Sequence, residues 1–140
     1  MISTKGRYAL VAMVDIAINS KVDGVVSIKD ISKREDISEK YLEQVISSLV
    51  KARLLRSIRG SNGGYRLVKT TSEYTTGEIL RALEGDLSPV GESKSNVISN
   101  VGNDEYWKNF EEVINGYVDS VTLETLVEKN RNDFGEMYYI

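Results

Sequence analysis

The chain has no cysteine and no histidine among its 140 residues. Without cysteine there is no thiolate nucleophile and no disulfide framework, so nothing in the composition points to an oxidising compartment. Without histidine there is no imidazole base, and the two commonest zinc-caging residues are both missing. Iron–sulfur and haem ligation by the usual side chains is disfavoured for the same reason. Carboxylates are plentiful, but none falls in a recognisable catalytic pattern, so the sequence reads as a non-enzyme without a metal site or cofactor. Proline is nearly absent, with Pro89 alone. No apolar run is long enough to span a bilayer, and the N-terminus lacks the apolar stretch of a signal peptide. The expectation is a cytoplasmic protein with no membrane attachment.

What remains is enough for a core. Hydrophobic residues make up 41% and charged residues 28%, which suits one small domain with an appended helix. The net charge of −3 hides an asymmetry. Residues 1–70 hold 13 Lys and Arg against 7 Asp and Glu, whereas residues 71–140 hold 5 against 14. A basic first half and an acidic second half direct a polyanionic partner to the first.

The first half carries a pattern that gives that charge a purpose. Ser38 opens a helix with apolar residues at Leu42, Val45, Ile46 and Leu49, the spacing of a one-sided helix. Its other face carries Glu39, Lys40, Glu43, Gln44 and Ser47. Leu54-Leu55-Arg56-Ser57-Ile58-Arg59 and Tyr65-Arg66-Leu67-Val68-Lys69 then flank a Gly-rich turn, where Asn62-Gly63 signals a hairpin because both residues tolerate positive φ. Upstream, Thr4 to about Asn19 forms a helix that is apolar on most sides, so more than one face is buried and one side can meet another subunit. Ser27 and Asp30 start a short helix, and Glu35-Asp36-Ile37 turns it into the Ser38 helix, giving a helix-turn-helix pair. Thr75 or Thr76 opens a fourth helix that ends at Gly85.

The expected fold is mainly α with a small β-hairpin wing: a winged helix-turn-helix with a long C-terminal dimerisation helix. Residues 1–84 form the DNA-binding domain, 85–103 a loop, and 104–140 the dimerisation helix, a shorter helix and a tail. From about Asp104, Trp107, Phe110, Ile114, Tyr117 and Val121 recur at alternating spacings of three and four, the seam of a two-heptad coiled coil. A shorter helix runs from Thr122 to about Asn130, and the chain ends Tyr138-Tyr139-Ile140.

Each polar candidate has a chemical reason. Gln44 can pair bidentately with adenine, Glu43 can accept from cytosine, and Lys40 can reach a phosphate. Arg59, beside Gly60, suits insertion into a narrow minor groove, and Asn62 either assists it or serves the turn. Ser3, Thr4, Lys5 and Arg7 gather hydroxyls and cations at a helix N-terminus, a setting for a phosphate or for plain capping. Tyr41 lies on the DNA-facing stretch, yet like Tyr65 it has apolar neighbours and reads mainly as a packing residue. An apolar tail with a free carboxylate suits capture by a partner protein, or folding back on its own dimer.

Three segments together resemble the Rrf-type family of bacterial winged-helix regulators: Ile2 to Leu10, Ile37 to Gln44, and Ser57 to Tyr65. The likeness continues through Gly77 to Gly85. It implies a homodimer with a long crossing helix, and DNA reading by Ser38, Glu43, Gln44 and Arg59 on a pseudo-palindromic duplex. Many members hold an iron–sulfur cluster through cysteines in the loop matching residues 85–104, and this loop has none. The Leu87 to Val90 segment, the Thr122-Leu123-Glu124 helix start and the Tyr138-Tyr139-Ile140 end are similar to the cluster-free branch that governs cysteine metabolism. That branch implies a repressor with cysteine synthase as partner, the Ile140 carboxylate occupying the partner's substrate site. Two further readings stay open: direct sensing of another small effector, and a protein-interaction module that binds no DNA.

Overall fold

Hydroxyl side chains and left-handed residues set the limits of the helices. The computed structural model describes residues 2–21, 24–89 and 101–138, with residues 101 and 132–138 as backbone only. In order, the described elements are α1 (Thr4–Asn19), α2 (Ile28–Glu35), α3 (Glu39–Lys51), β1 (Leu55–Ile58), β2 (Gly64–Leu67), a 3-10 turn (Thr71–Glu73), α4 (Thr76–Glu84), α5 (Val101–Ser120) and α6 (Leu123–Tyr138). Ser27 accepts from the Asp30 amide at 3.2 Å, Ser38 from Tyr41 at 3.2 Å and Thr75 from Glu78 at 3.0 Å. Each bond satisfies one of the amides left unpaired at a helix start. Asp36 (φ 54°), Arg53 (φ 61°) and Gly85 (φ 71°) turn the chain out of α2, α3 and α4.

The hairpin pairs Leu55 with Leu67, Arg56 with Arg66, Ser57 with Tyr65 and Ile58 with Gly64. Its turn differs from the sequence expectation. Gly63 N–H reaches Gly60 O at 3.0 Å, so Asn62 lies inside a turn bounded by these two glycines. Positive φ falls on Gly60 (127°), and neither Asn62 nor Gly63 has it. Glycine is needed at 63 for another reason: a Cβ there would overlap the Ile58 carbonyl oxygen.

The core gathers Ala9, Ala12, Met13 and Ile16 of α1 around Ile31, Leu42, Val45, Ile46, Leu49, Leu55, Tyr74 and Ile79. Leu123 and Val127 of α6 belong to the same cluster. Backbone bonds seat them: Thr76 N–H to Val121 O at 2.8 Å and Leu123 N–H to Tyr74 O at 3.0 Å. The first turns of α6 therefore help to build the N-terminal core.

Two boundaries correct the sequence reading. α5 begins at Val101 rather than near Asp104, and α6 runs to Tyr138 rather than stopping near Asn130. Neither extension carries an apolar stripe, so periodicity could not find it. Neither holds a proline, so backbone hydrogen bonding carries each helix on.

Polar side chains tie the elements together. The Asp15 side chain is fully buried in α1 and accepts from Arg34 of α2 at 2.9 and 2.8 Å. Partial burial and the neighbouring Asp15 push the Glu35 carboxyl up to about 7, so it is partly protonated at neutral pH. Tyr74 O–H donates to Leu54 O at 2.7 Å and accepts from Val68 N–H at 2.9 Å, pinning both ends of the hairpin. Arg81 of α4 grips Asp119 of α5 at 2.6 and 3.0 Å, and Thr76 Oγ1 donates to Val118 O at 2.9 Å. Glu84, closing α4, accepts from the Ser3 amide and hydroxyl and from the Gly6 amide. Partial burial pushes the Glu84 carboxyl up, but these donors outweigh it and hold the group below its usual range.

Leu123→Ala is expected to destabilise the fold by about 2–5 kcal/mol, as for other fully buried leucines. Urea unfolding followed by circular dichroism measures this, and a neutral effect would remove α6 from the core. Because the folded pKa of Glu84 is depressed, its contribution is present above the unfolded value and lost as pH falls through the folded one. Glu84→Gln should therefore lower stability at pH 7 by on the order of 0.3–1 kcal/mol, the range for an anion at a helix N-terminus. Wild type and variant should converge once the pH falls below the folded Glu84 value. Thermal melts on either side of that value check this.

Candidate nucleic-acid interface

The interface follows from how α3 is anchored. Leu42, Val45, Ile46 and Leu49 are buried in the core. Burying that stripe turns Glu39, Lys40, Glu43, Gln44 and Ser47 outward, and all five are exposed. Among the described residues, no side-chain hydrogen bond or ion pair engages Lys40, Glu43, Gln44 or Arg59. Their donors and acceptors remain available to a ligand.

At the start of α3 the structure brings several sequence candidates together. Thr4, Tyr8, Ser38 and Tyr41 border a hollow of about 350 Å³ between α1 and α3. Tyr41 is half-buried, and its ring meets that of Tyr8 edge-on at 5.3 Å. Its position is therefore one of packing, with an edge toward the hollow. Ser38 uses its oxygen to cap α3, which leaves its O–H free to donate.

The N-terminus of α1 is arranged differently from a simple phosphate cradle. Ser3 makes no side-chain cap bond to its own helix. Its hydroxyl donates to Glu84 instead. The carboxylate already occupies the place of an anion at that helix end. Thr4, Lys5 and Arg7 remain exposed beside it.

On the wing, Arg59 and Asn62 are both exposed in the loop between β1 and β2. Arg59 shares an open groove with Arg53 and Arg56. The root of the wing is held by Tyr74 and by Lys69, whose ammonium reaches both Glu78 oxygens at 3.0 Å.

The α5 stripe divides. Trp107 and Phe110 are each 42% exposed and Tyr117 is 68% exposed. Ile114 instead packs on Leu80, Leu87 and Val118 of its own chain. Val121 is half-buried, and its carbonyl accepts from Thr76. Tyr106 and Val113, 58% and 71% exposed, join the outward face, and Tyr106 contacts both Trp107 and Phe110 through its ring. A seam count over positions of equal spacing cannot see that α4 takes one side of the helix. Tyr138 closes α6 as backbone only, and Tyr139 and Ile140 lie outside the described residues.

Sequence reasoning missed Asp15, Arg34, Tyr74 and Glu84. Asp15 had a signal, being the sole charge between Tyr8 and Ile18. Glu84 had none, because its donors lie at the far end of the chain.

Among the described residues, no helix is long and apolar enough to cross a membrane. The family model that matches residues 2–129 is Rrf2, described as an iron-dependent transcriptional regulator. The chain is 40% identical over 125 residues to the HTH-type transcriptional regulator CymR of Bacillus subtilis, covering 89% of this chain and 88% of that one. It is 36% identical over 129 residues to IscR of Klebsiella pneumoniae, covering 90% and 78%. The solved structure of B. subtilis CymR, described as the global cysteine regulator, superposes with a TM-score of 0.81 at 39% identity, covering 92% and 97%. T. potens IscR superposes with a TM-score of 0.75 at 35% identity, covering 93% and 88%. Among the described residues, the iron in the family description finds no cysteine, histidine or carboxylate cluster to hold it, and the whole sequence has neither thiolate nor imidazole. With these relatives over nearly its whole length, a helix free to enter a groove and an arginine-tipped wing, the chain belongs to the Rrf2 family of transcriptional regulators and is not an enzyme.

Proposed function

We propose that the chain is a repressor of cysteine or sulfur-metabolism genes that binds a pseudo-palindromic duplex as a homodimer. The observation that carries the DNA-binding part is the unpaired polar face of α3 beside an arginine-tipped wing. In this reading α3 enters a major groove, Gln44 pairs with adenine, Glu43 accepts from cytosine, and Lys40 and Ser38 meet the backbone. Arg59 enters the neighbouring minor groove, with Thr4, Lys5 and Arg7 nearby for phosphates. The outward face of α5, built from Tyr106, Trp107, Phe110, Val113 and Tyr117, supplies the dimer contact. Half-sites then lie about 34–36 Å apart, or a multiple of that.

The pathway rests on the likeness to CymR, whose solved structure is described as the global cysteine regulator. With no cysteine or histidine in the chain, the signal arrives without an iron–sulfur cluster. Cysteine synthase is the proposed carrier of that signal, engaged through Tyr138, Tyr139 and Ile140.

The purified protein should enrich palindromic genomic fragments upstream of sulfur or cysteine genes at physiological salt. Enrichment elsewhere would keep DNA binding and remove the pathway. On a selected duplex, Arg59→Ala should cost about 1–3 kcal/mol and relax preference at the bases under the wing. Unchanged affinity and preference would remove Arg59 from the interface. Deleting Ile140 should weaken binding to cysteine synthase, as followed by calorimetry, and undiminished binding would overturn the tail assignment.

A further inference from the structure

The groove beside β1 is built for more than the wing arginine alone. It encloses about 610 Å³ and runs from Val50, near the end of α3, past Arg53, Arg56 and Ser57 to Arg59. β1 is an edge strand. Tyr65 exchanges both its backbone bonds with Val26, at 2.8 and 2.9 Å, so the paired Ser57 turns its own amide toward the open side.

The cations along this groove are placed against local preference. Arg53 sits at φ 61°, in the left-handed position after α3 that glycine fills most readily. It still completes the helix end, with Arg53 N–H to Val50 O at 3.0 Å and Leu54 N–H to Leu49 O at 2.9 Å. Arg56 stands directly opposite Arg66 in the register, and like charges so placed repel. Among the described residues Arg34 and Arg81 are ion-paired, whereas Arg53, Arg56, Arg59 and Arg66 have no such partner. Arg53, Arg56 and Arg59 all line this one groove. Arginines left without an ion-pair partner along one groove suit an external anion.

We propose that Arg53, Arg56 and the Ser57 amide form a phosphate track that holds one strand of duplex DNA between α3 and the wing tip, fixing register without reading sequence. This rests on the DNA-binding function proposed above. A phosphodiester strand fits better than an acidic peptide adding to the sheet edge. β1 has only four residues, too short an edge for a stable added strand. The groove is also continuous with α3 at one end and Arg59 at the other.

The test is the salt dependence of binding by the full chain to a duplex selected from genomic fragments by the wild type. Fluorescence anisotropy over a potassium chloride series reads the slope of log affinity against log salt. Arg53→Ala and Arg56→Ala should each lower its magnitude by about 0.9 for every phosphate released. The ratio of affinities for matched and mismatched duplexes should stay constant. Arg53→Gly separates contact from folding: it relieves the left-handed strain, so the protein should stay as stable as wild type while the slope still falls. Arg56→Lys should preserve the slope. An unchanged slope in the Arg53 and Arg56 variants, with the wild type still binding, would overturn the track. So would a change in base preference, or capture of an acidic peptide in place of DNA. Failure of the wild type to bind any duplex would instead overturn the DNA-binding reading itself.

Discussion

A carboxylate side chain with no exposed surface sits in the most apolar helix of the chain, and the orientation of α3 follows from how it is satisfied. Burying the Asp15 carboxylate in the core is costly without a partner. Arg34 answers from the last turn of α2 with two bonds. A bidentate fork admits few geometries, so it fixes how α2 lies across α1. Asp36, left-handed, then turns the chain into α3 within two residues. Ion pairs of this kind add little net stability compared with apolar packing. Here the pair supplies direction, and α3 inherits it.

The wing obeys a second division of labour. At its root Tyr74 bonds the residues flanking both strands, Lys69 bonds Glu78, and the Lys69 ammonium lies 4.8 Å from the Tyr74 ring centre. Along its open edge and at its tip the arginines have no ion-pair partner among the described residues. A rigid base with an unsatisfied margin is what a preorganised binding element requires, since little ordering remains to be done on contact.

Much of this was legible in the residues. The three-four spacing of Leu42, Val45, Ile46 and Leu49 names both the buried and the outward face of α3, because a helix has one period. The hairpin was legible from two short apolar-polar strands around glycines. Its turn was not, since Gly60 and Asn62-Gly63 compete for the positive-φ position and only the closed loop decides. The face of α5 was half legible. Equal spacing predicts a stripe, but Arg81 and Leu80 take one flank and leave Tyr106 and Val113 on the other. The Ser3–Glu84 contact spans nearly the whole domain, and no local pattern encodes it.

The C-terminal half of α5 is fastened to its own chain. Arg81, Thr76 and Val118 fasten its C-terminal half to α4, while Trp107 and Phe110 stand exposed near the far end. The arm from Asp119 to Trp107 is about 18 Å long at the usual helical rise. A swing of a few degrees at the anchorage therefore displaces the aromatic end by about an ångström, roughly the tolerance of a packed contact. In the homodimer proposed above, the distance between the two copies of α3 would depend steeply on this one guanidinium–carboxylate grip.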